Sequence, residues 1–440
     1  MKQPVLWRTV TLPKAFCTTE YVRDRSVTYG GDIRIGDLRA AAEADFLVYR
    51  SVDNAHDEGG MKPCFLGAFT AEGLPLWSDG KGGTQPSRPG PVAIHDLDGD
   101  GRTEVICFFH DEGIVADATS MADVVIQMRD GATGDVKRQA APALFQSLQG
   151  QGANWVHQRI MVANFRGMAT PRDFVVKVGE RVLAFDSNLD ILWEYESPWT
   201  DYGHCPAYIP AVGDIDGDGR DEVNGGYFLL DHDGTVLWQN DIAPHTDSVA
   251  IAPWDNGRSR AVCSGYGHVL DESGNVILQL GSELVPHGQE VRVGRFRNGD
   301  GTPQMVVRCN GHSTKVLVVD VHGTILKDLD LNPSPNNTGM EVVHWDGEDA
   351  PALLYNGGML WDPVLGVGTP LPGLPPPEEV GRMAWYHCIP ANVCGDEREE
   401  LVLYNPWTTK IYIYTQCDND ASASTAFNAR PPQYNPRLMD

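Results

Sequence analysis

Ile209-Pro-Ala-Val-Gly-Asp-Ile215 runs directly into Asp216-Gly-Asp-Gly-Arg-Asp-Glu222, and shortly afterwards the chain reads Leu230-Asp-His-Asp-Gly-Thr-Val-Leu-Trp238. An apolar run, a sharp acidic turn, a second apolar run and a hairpin around an Asp/Gly turn describe four short antiparallel strands. The first phrase recurs from end to end. Its copies begin at Ile33, Val92, Ile160, Ile209, Val249, Val291, Met340 and Ile389. Second strands follow the turns, as in Glu104-Val-Ile-Cys-Phe-Phe109, Phe174-Val-Val-Lys-Val178 and Gln304-Met-Val-Val-Arg308. Hairpins recur at Leu270-Asp-Glu-Ser-Gly-Asn-Val-Ile-Leu278 and Val319-Asp-Val-His-Gly-Thr-Ile-Leu326. Four strands per roughly 40–50 residues is the period of a propeller blade.

The last copy supplies three strands, ending at Lys410-Ile-Tyr-Ile-Tyr-Thr415, while Val5-Leu-Trp7 resembles the fourth strands Ile191-Leu-Trp193 and Val236-Leu-Trp238. The N-terminal strand therefore closes the ring. The expected fold is all-β: residues 1–440 as one eight-bladed β-propeller of four-stranded antiparallel blades, or seven blades if one degenerate copy is not a blade. The last ~25 residues, rich in proline, read as an irregular tail. Leu371–Glu378 reads as a linker between the last two units, and Asp111–Ala141 as an excursion walling a cleft.

Composition narrows the partners. The chain has 440 residues with 34 Lys+Arg against 60 Asp+Glu, a formal charge of -26, which argues against nucleic acid. No apolar run approaches ~18 residues, so no membrane helix is expected. The nine cysteines are scattered without a CxxC pair, and the N-terminus lacks an apolar export segment. Both point to free thiols and a cytoplasmic setting.

Asp96-Leu-Asp98-Gly-Asp100-Gly-Arg-Thr-Glu104 and Asp214-Ile-Asp216-Gly-Asp218-Gly-Arg-Asp-Glu222 place carboxylates at alternate positions with glycine at the bend. Hard oxygens so spaced suit Ca²⁺, and both loops are expected to be structural calcium sites. They join first to second strands, on the face opposite the mouth where first strands begin.

At that mouth the residues entering first strands and leaving second strands converge. His56, His110, His157, His204, His245, His268, His287, His312 and His387, nine of thirteen histidines, fall there with Arg159, Tyr202, Tyr266 and Arg308. Imidazole, phenol and guanidinium together suit proton transfer beside an anionic group. His204, Cys205, His245 and His287 form an alternative set for Zn²⁺.

The Asp-x-Asp-Gly-Asp-Gly loops at Asp96–Gly101 and Asp214–Gly219, the blade repeat and the His/Tyr/Arg mouth resemble the β-propeller polysaccharide lyases, the group of rhamnogalacturonan, ulvan and rhamnose–glucuronate lyases. The resemblance implies β-elimination at a uronic acid within an acidic polysaccharide or oligosaccharide. Under it, Arg159 and Arg308, helped by His110, neutralise the carboxylate, and Tyr202 with His157 or His204 exchanges the proton. His245, His287 and His312 orient the sugar, while Trp155, Tyr266 and Trp385 stack on it. Two other readings compete. A propeller hydrolase would use Asp111, Glu112, Glu290 or Glu341, and a calcium-stabilised binding or adhesion propeller would not turn over.

Overall fold

The computed structural model describes residues 1–52, 62–85, 90–113, 120–148, 159–199, 201, 204–255, 257–299, 301–311, 313–332, 339–377, 385–418 and 427. Among these the strands form eight four-stranded antiparallel sheets arranged as an eight-bladed β-propeller. Blade 1 comprises Asp32–Gly36, Asp45–Ser51, Pro63–Thr70 and Pro75–Gly80. Blade 2 follows with Val92–His95, Glu104–His110, Val124–Asp130 and Val136–Ala140. Blades 3 to 7 start at Ile160, Ala211, Val249, Glu290 and Glu341 and repeat the same order.

Blade 8 is built from both chain ends. His387–Ala391, Glu400–Tyr404 and Lys410–Gln416 take Pro4–Thr11 as their fourth strand, from Pro4 opposite Gln416 to Thr11 opposite Lys410. The expected closure and blade count are both found. Two differences from the sequence reading stand out. Asp111–Ala141 contains the third and fourth strands of blade 2, and Thr18–Val22 pairs with Arg25–Tyr29 in an extra hairpin before blade 1. The tail lies outside the described residues except Phe427, which is buried in the apolar layer between blades 1 and 8.

Packing explains why the unit repeats. The apolar side chains gather into eight layers, each shared by two adjacent blades. Ile106, Phe108, Val162 and Phe174 join blades 2 and 3, and Val262, Val269, Met305 and Val307 join blades 5 and 6. A single four-stranded blade could not bury both faces; its neighbours do so. The first strands touch in succession around the ring and line the centre, while fourth strands form the rim with Ile191, Val236 and Val276 exposed.

Rim tryptophans tie blade 1 to blade 2 and blade 3 to blade 4. Trp77 Nε1–H donates to Gly131 O (2.7 Å) and Trp193 Nε1–H to His232 O (2.8 Å), each in the following blade's hairpin. Gly234 in that second hairpin has φ +84°, and a Cβ there would sit 2.9 Å from the Trp193 ring. Glycine is required both by the left-handed backbone and by the indole lying on it. None of the nine cysteines forms a disulfide, and Cys417 alone is exposed.

Candidate functional site

The mouth where first strands begin carries a buried carboxylate shared by two imidazoles. Asp247 enters the first strand of blade 5 and is 1% exposed. Its Oδ1 faces His245 Nδ1, and its Oδ2 accepts from His287 Nε2 at 3.0 Å. His245 and Asp247, two positions apart in the chain, thus stand face to face just before the strand begins at Val249. Burial alone would push the Asp247 carboxyl up, but its hydrogen bonds to and the charges of the two histidines outweigh this and hold it below the usual range. The hydrogen bond to Asp247 in turn raises His287 above its ordinary value, against the opposing effect of burial.

Tyr208, before the first strand of blade 4, completes the group. Its hydroxyl lies 3.3 Å from His245 Nε2, and the two imidazole rings stand 4.9 Å apart. A carboxylate on Nδ1 keeps the proton there and leaves Nε2 as acceptor for the phenol. Backbone pairing holds the arrangement: Thr246 N–H donates to Cys205 O (3.1 Å) and Cys205 N–H to Pro244 O (3.3 Å). His287 is the most open member, with 38% of its side chain exposed.

Other expected residues form separate groups around the mouth. His110, at the end of the second strand of blade 2, has Nδ1 3.5 Å from Asp123, which also pairs with Lys62 at 2.6 Å. It borders a cavity of about 480 Å³ lined by Lys81, Asp111, Glu112, Gln127 and Arg129. His204 is exposed and pairs with Asp241 at 2.9 Å. Arg159 is buried, and Tyr266 and Trp385 are half-buried. Arg308 is fully buried: Nε approaches Glu290 at 3.4 Å and Nη1 donates to Ser313 O at 2.7 Å. Glu290 and Glu341 both also face Arg292 (3.2 and 3.6 Å), so these carboxylates lie among guanidinium groups. Trp155, His157, Tyr202 and His312 lie outside the described residues.

The zinc set of the sequence reading is not the group found. His245 and His287 converge with Asp247, whereas Cys205 is fully buried with Sγ on Pro206 O, and His204 faces Asp241. Asp247 and Tyr208 were absent from the expected set. Asp247 had a visible signal, two positions after His245 on an entering strand; Tyr208 offered only its place before Ile209.

On the opposite face, the two acidic loops adopt the same backbone course. Asp96 accepts from Gly99 N (2.7 Å) and Gly101 N (3.0 Å), and Asp214 from Gly217 N (2.6 Å) and Gly219 N (3.0 Å). Their centres differ. Lys137 Nζ stands in the blade 2 loop, whereas Glu222 Oε1 in blade 4 is buried with no hydrogen-bond partner among the described residues.

His268, which opens the third strand of blade 5, is 2% exposed, and burial lowers it to about 4. Its neutral form contributes stability above the unfolded value of 6.5, lost as pH falls towards 4. A lowering of this size corresponds to about 3 kcal/mol. His268→Gln is expected to flatten the fall in urea midpoint between those pH values; an unchanged slope would assign the acid sensitivity elsewhere.

No family model matches the chain, and no curated protein matches it in sequence. Solved structures do match in fold. The chain is similar to the rhamnogalacturonan lyase PL11 of Bacillus licheniformis (TM-score 0.70, 19% identity), covering 93% of this chain and 76% of that one. Rhamnogalacturonan lyase YesW (TM-score 0.68, 19% identity) and exotype rhamnogalacturonan lyase YesX (0.68, 20%) align over 93% of this chain and 75% and 76% of theirs. The chain thus has the propeller fold of these polysaccharide lyases.

Proposed function

We propose that the protein is a polysaccharide lyase that cleaves a uronate-containing, rhamnose-containing acidic polysaccharide or oligosaccharide by β-elimination at the His245–Asp247–His287 mouth. The observation that carries this reading is one buried carboxylate holding two imidazoles, with a phenol on the free nitrogen of one. The fold shared with rhamnogalacturonan lyases supports the substrate class.

Elimination requires three things of the protein. The uronate carboxylate must be neutralised, the C5 proton removed, and the departing O4 protonated. His287, open and biased towards its cation by Asp247, meets the carboxylate and stabilises the charge that spreads into it as the C5–H bond breaks. Tyr208 passes its own proton to His245 Nε2 and takes the C5 proton as phenolate. The electron pair forms the C4=C5 bond as C4–O4 breaks, and the proton held on His245 Nε2 goes to O4. A His–Tyr pair can serve as base and then acid because each proton accepted is available for return. Asp247 stabilises imidazolium on both sides. Glu290 and Glu341, engaged with Arg308 and Arg292, are poor candidates for the free carboxylate pair of a hydrolase.

The net charge of -26 is no barrier to an anionic polymer, because distant carboxylates are screened over ~8 Å at physiological salt. The test follows ultraviolet absorbance of unsaturated uronate on rhamnogalacturonan, ulvan and gum arabic. A rise on rhamnogalacturonan, lost in Tyr208→Phe, is expected. Reducing sugar without absorbance would move the assignment to hydrolysis. Saturable binding without either product would leave a binding propeller.

A further inference from the structure

The loop between first and second strands shares one feature in blades 1 to 4, 6 and 8. An acid or amide at the start of the second strand turns back onto the loop backbone. Glu104 Oε2 accepts from Leu97 N (2.9 Å), Glu222 Oε2 from Ile215 N (2.8 Å), Gln304 Oε1 from Phe296 N (2.8 Å) and Glu400 Oε2 from Val393 N (2.9 Å). What meets the second oxygen is the variable.

In blades 1 and 3 an arginine from the loop itself does so. Arg39 Nε reaches both oxygens of Asp45 (3.0 and 3.1 Å), and Arg166 Nε and Nη2 reach Asp173 Oδ1 (2.8 and 2.7 Å). In blade 8, Thr415 Oγ1 donates to Glu400 Oε1 at 3.0 Å. In blade 2 it is Lys137, from the fourth strand. Its Nζ lies 2.7 Å from Glu104 Oε1, 2.7 Å from Asp98 Oδ2 and 3.1 Å from Asp100 Oδ2. Three donors face three carboxylates, so this ammonium is satisfied.

Blade 4 has the same loop and lacks the cation. The hairpin registers set Arg129 against Val136 and Met128 against Arg138 in blade 2, and Leu230 against Val236 and Leu229 against Trp238 in blade 4. Leu237 therefore stands where Lys137 does. Glu222 is fully buried, and its Oε1 has no hydrogen-bond partner among the described residues. Asp231 and His232 each place a ligand atom within 4.8 Å of its carboxylate, and in the adjoining loop Asp214, Asp216 and Asp218 bring carboxylate oxygens within 4.8 Å of one another. An ionised carboxylate left so is costly unless a charge of opposite sign completes it.

We propose that these two near-identical loops use different cations: blade 2 carries its own, the Lys137 ammonium, and only blade 4 binds a divalent metal. The carboxylates of Asp214, Asp216, Asp218 and Glu222 suit a hard ion of calcium type, with Asp231 and His232 bordering Glu222. In blade 2 a metal would have to expel an ammonium already paired with three carboxylates.

Ca²⁺ titration of the metal-stripped full-length protein by calorimetry, with native mass spectrometry for stoichiometry, tests this by differences between variants. Asp216→Asn is expected to remove one equivalent and Asp98→Asn none. Lys137→Met is expected to add one equivalent. Leu237→Lys, which gives blade 4 its own ammonium, is expected to weaken the native site at least tenfold. Loss of an equivalent in Asp98→Asn, none lost in Asp216→Asn, or none gained in Lys137→Met would each overturn the proposal. Circular dichroism of each variant checks that the fold is retained, and the Asp98 and Lys137 variants report on blade 2 even if a blade 4 variant fails to fold.

Discussion

Asp247→Asn is expected to lower turnover of the elimination by about 10²–10⁴-fold while leaving the blades folded. The amide keeps the size of the carboxylate but removes the charge that both imidazoles face. It can also donate a hydrogen bond to His245 Nδ1, which would turn the proton to Nε2 and leave no acceptor for Tyr208. The pH profile distinguishes this positioning role from mere structural damage. His287 is raised by Asp247, so activity that requires its cation is lost as pH rises through that raised value. Without the carboxylate the alkaline limb moves to lower pH. Turnover and profile both unchanged would remove Asp247 from the mechanism.

Deleting residues 1–11 is expected to have the largest effect on stability. The strand Pro4–Thr11 makes seven register pairs with Lys410–Gln416, and Val10 belongs to the layer between blades 1 and 8. Lys2 O also accepts from Trp345 Nε1 at 2.9 Å, and Gln3 O from Cys417 N at 2.9 Å. At about 0.5–1.5 kcal/mol net per hydrogen bond, with the apolar burial added, the loss is roughly 5 kcal/mol or more. The remaining third strand becomes an open edge, a template for pairing with other chains. Chemical denaturation and light scattering read both effects, and a peptide of residues 1–13 in excess is expected to reverse them. A truncated protein with the parent midpoint would show that the ring does not depend on this closure.

The repeat made the blades legible because each unit obeys the same local rule: alternation, acidic turn, Asp/Gly hairpin. Even closure could be read, since Val5-Leu-Trp7 carries the rim pattern of Ile191-Leu-Trp193. Blade 2 was harder. Its third strand, Val124–Asp130, follows a long connection and its hairpin turns at Gly131-Ala-Thr-Gly134, so the periodicity is broken there. At the mouth, topology put His245 and His287 at the same end of the ring but did not show the carboxylate that lies between them. Which end of a strand a residue occupies follows from sequence; which way its side chain turns depends on neighbouring blades. Arg308 illustrates this, standing at the mouth yet directed onto Glu290 and Asn356 within the wall. Lys137 was invisible for the same reason, because the ammonium enters its loop from a strand that sequence proximity does not connect to it.

The scattered cysteines give the ring a built-in set of clocks. Cys417 is exposed, while Cys107 and Cys263, in the second strands of blades 2 and 5, are buried and pushed up to about 12 by desolvation. Alkylating reagents attack the thiolate, so a sealed blade is inert and an opened one is marked permanently. Pulsed labelling followed by peptide mapping would therefore time the separation of individual blades in the unmodified protein, with Cys417 as the reference that reacts at once.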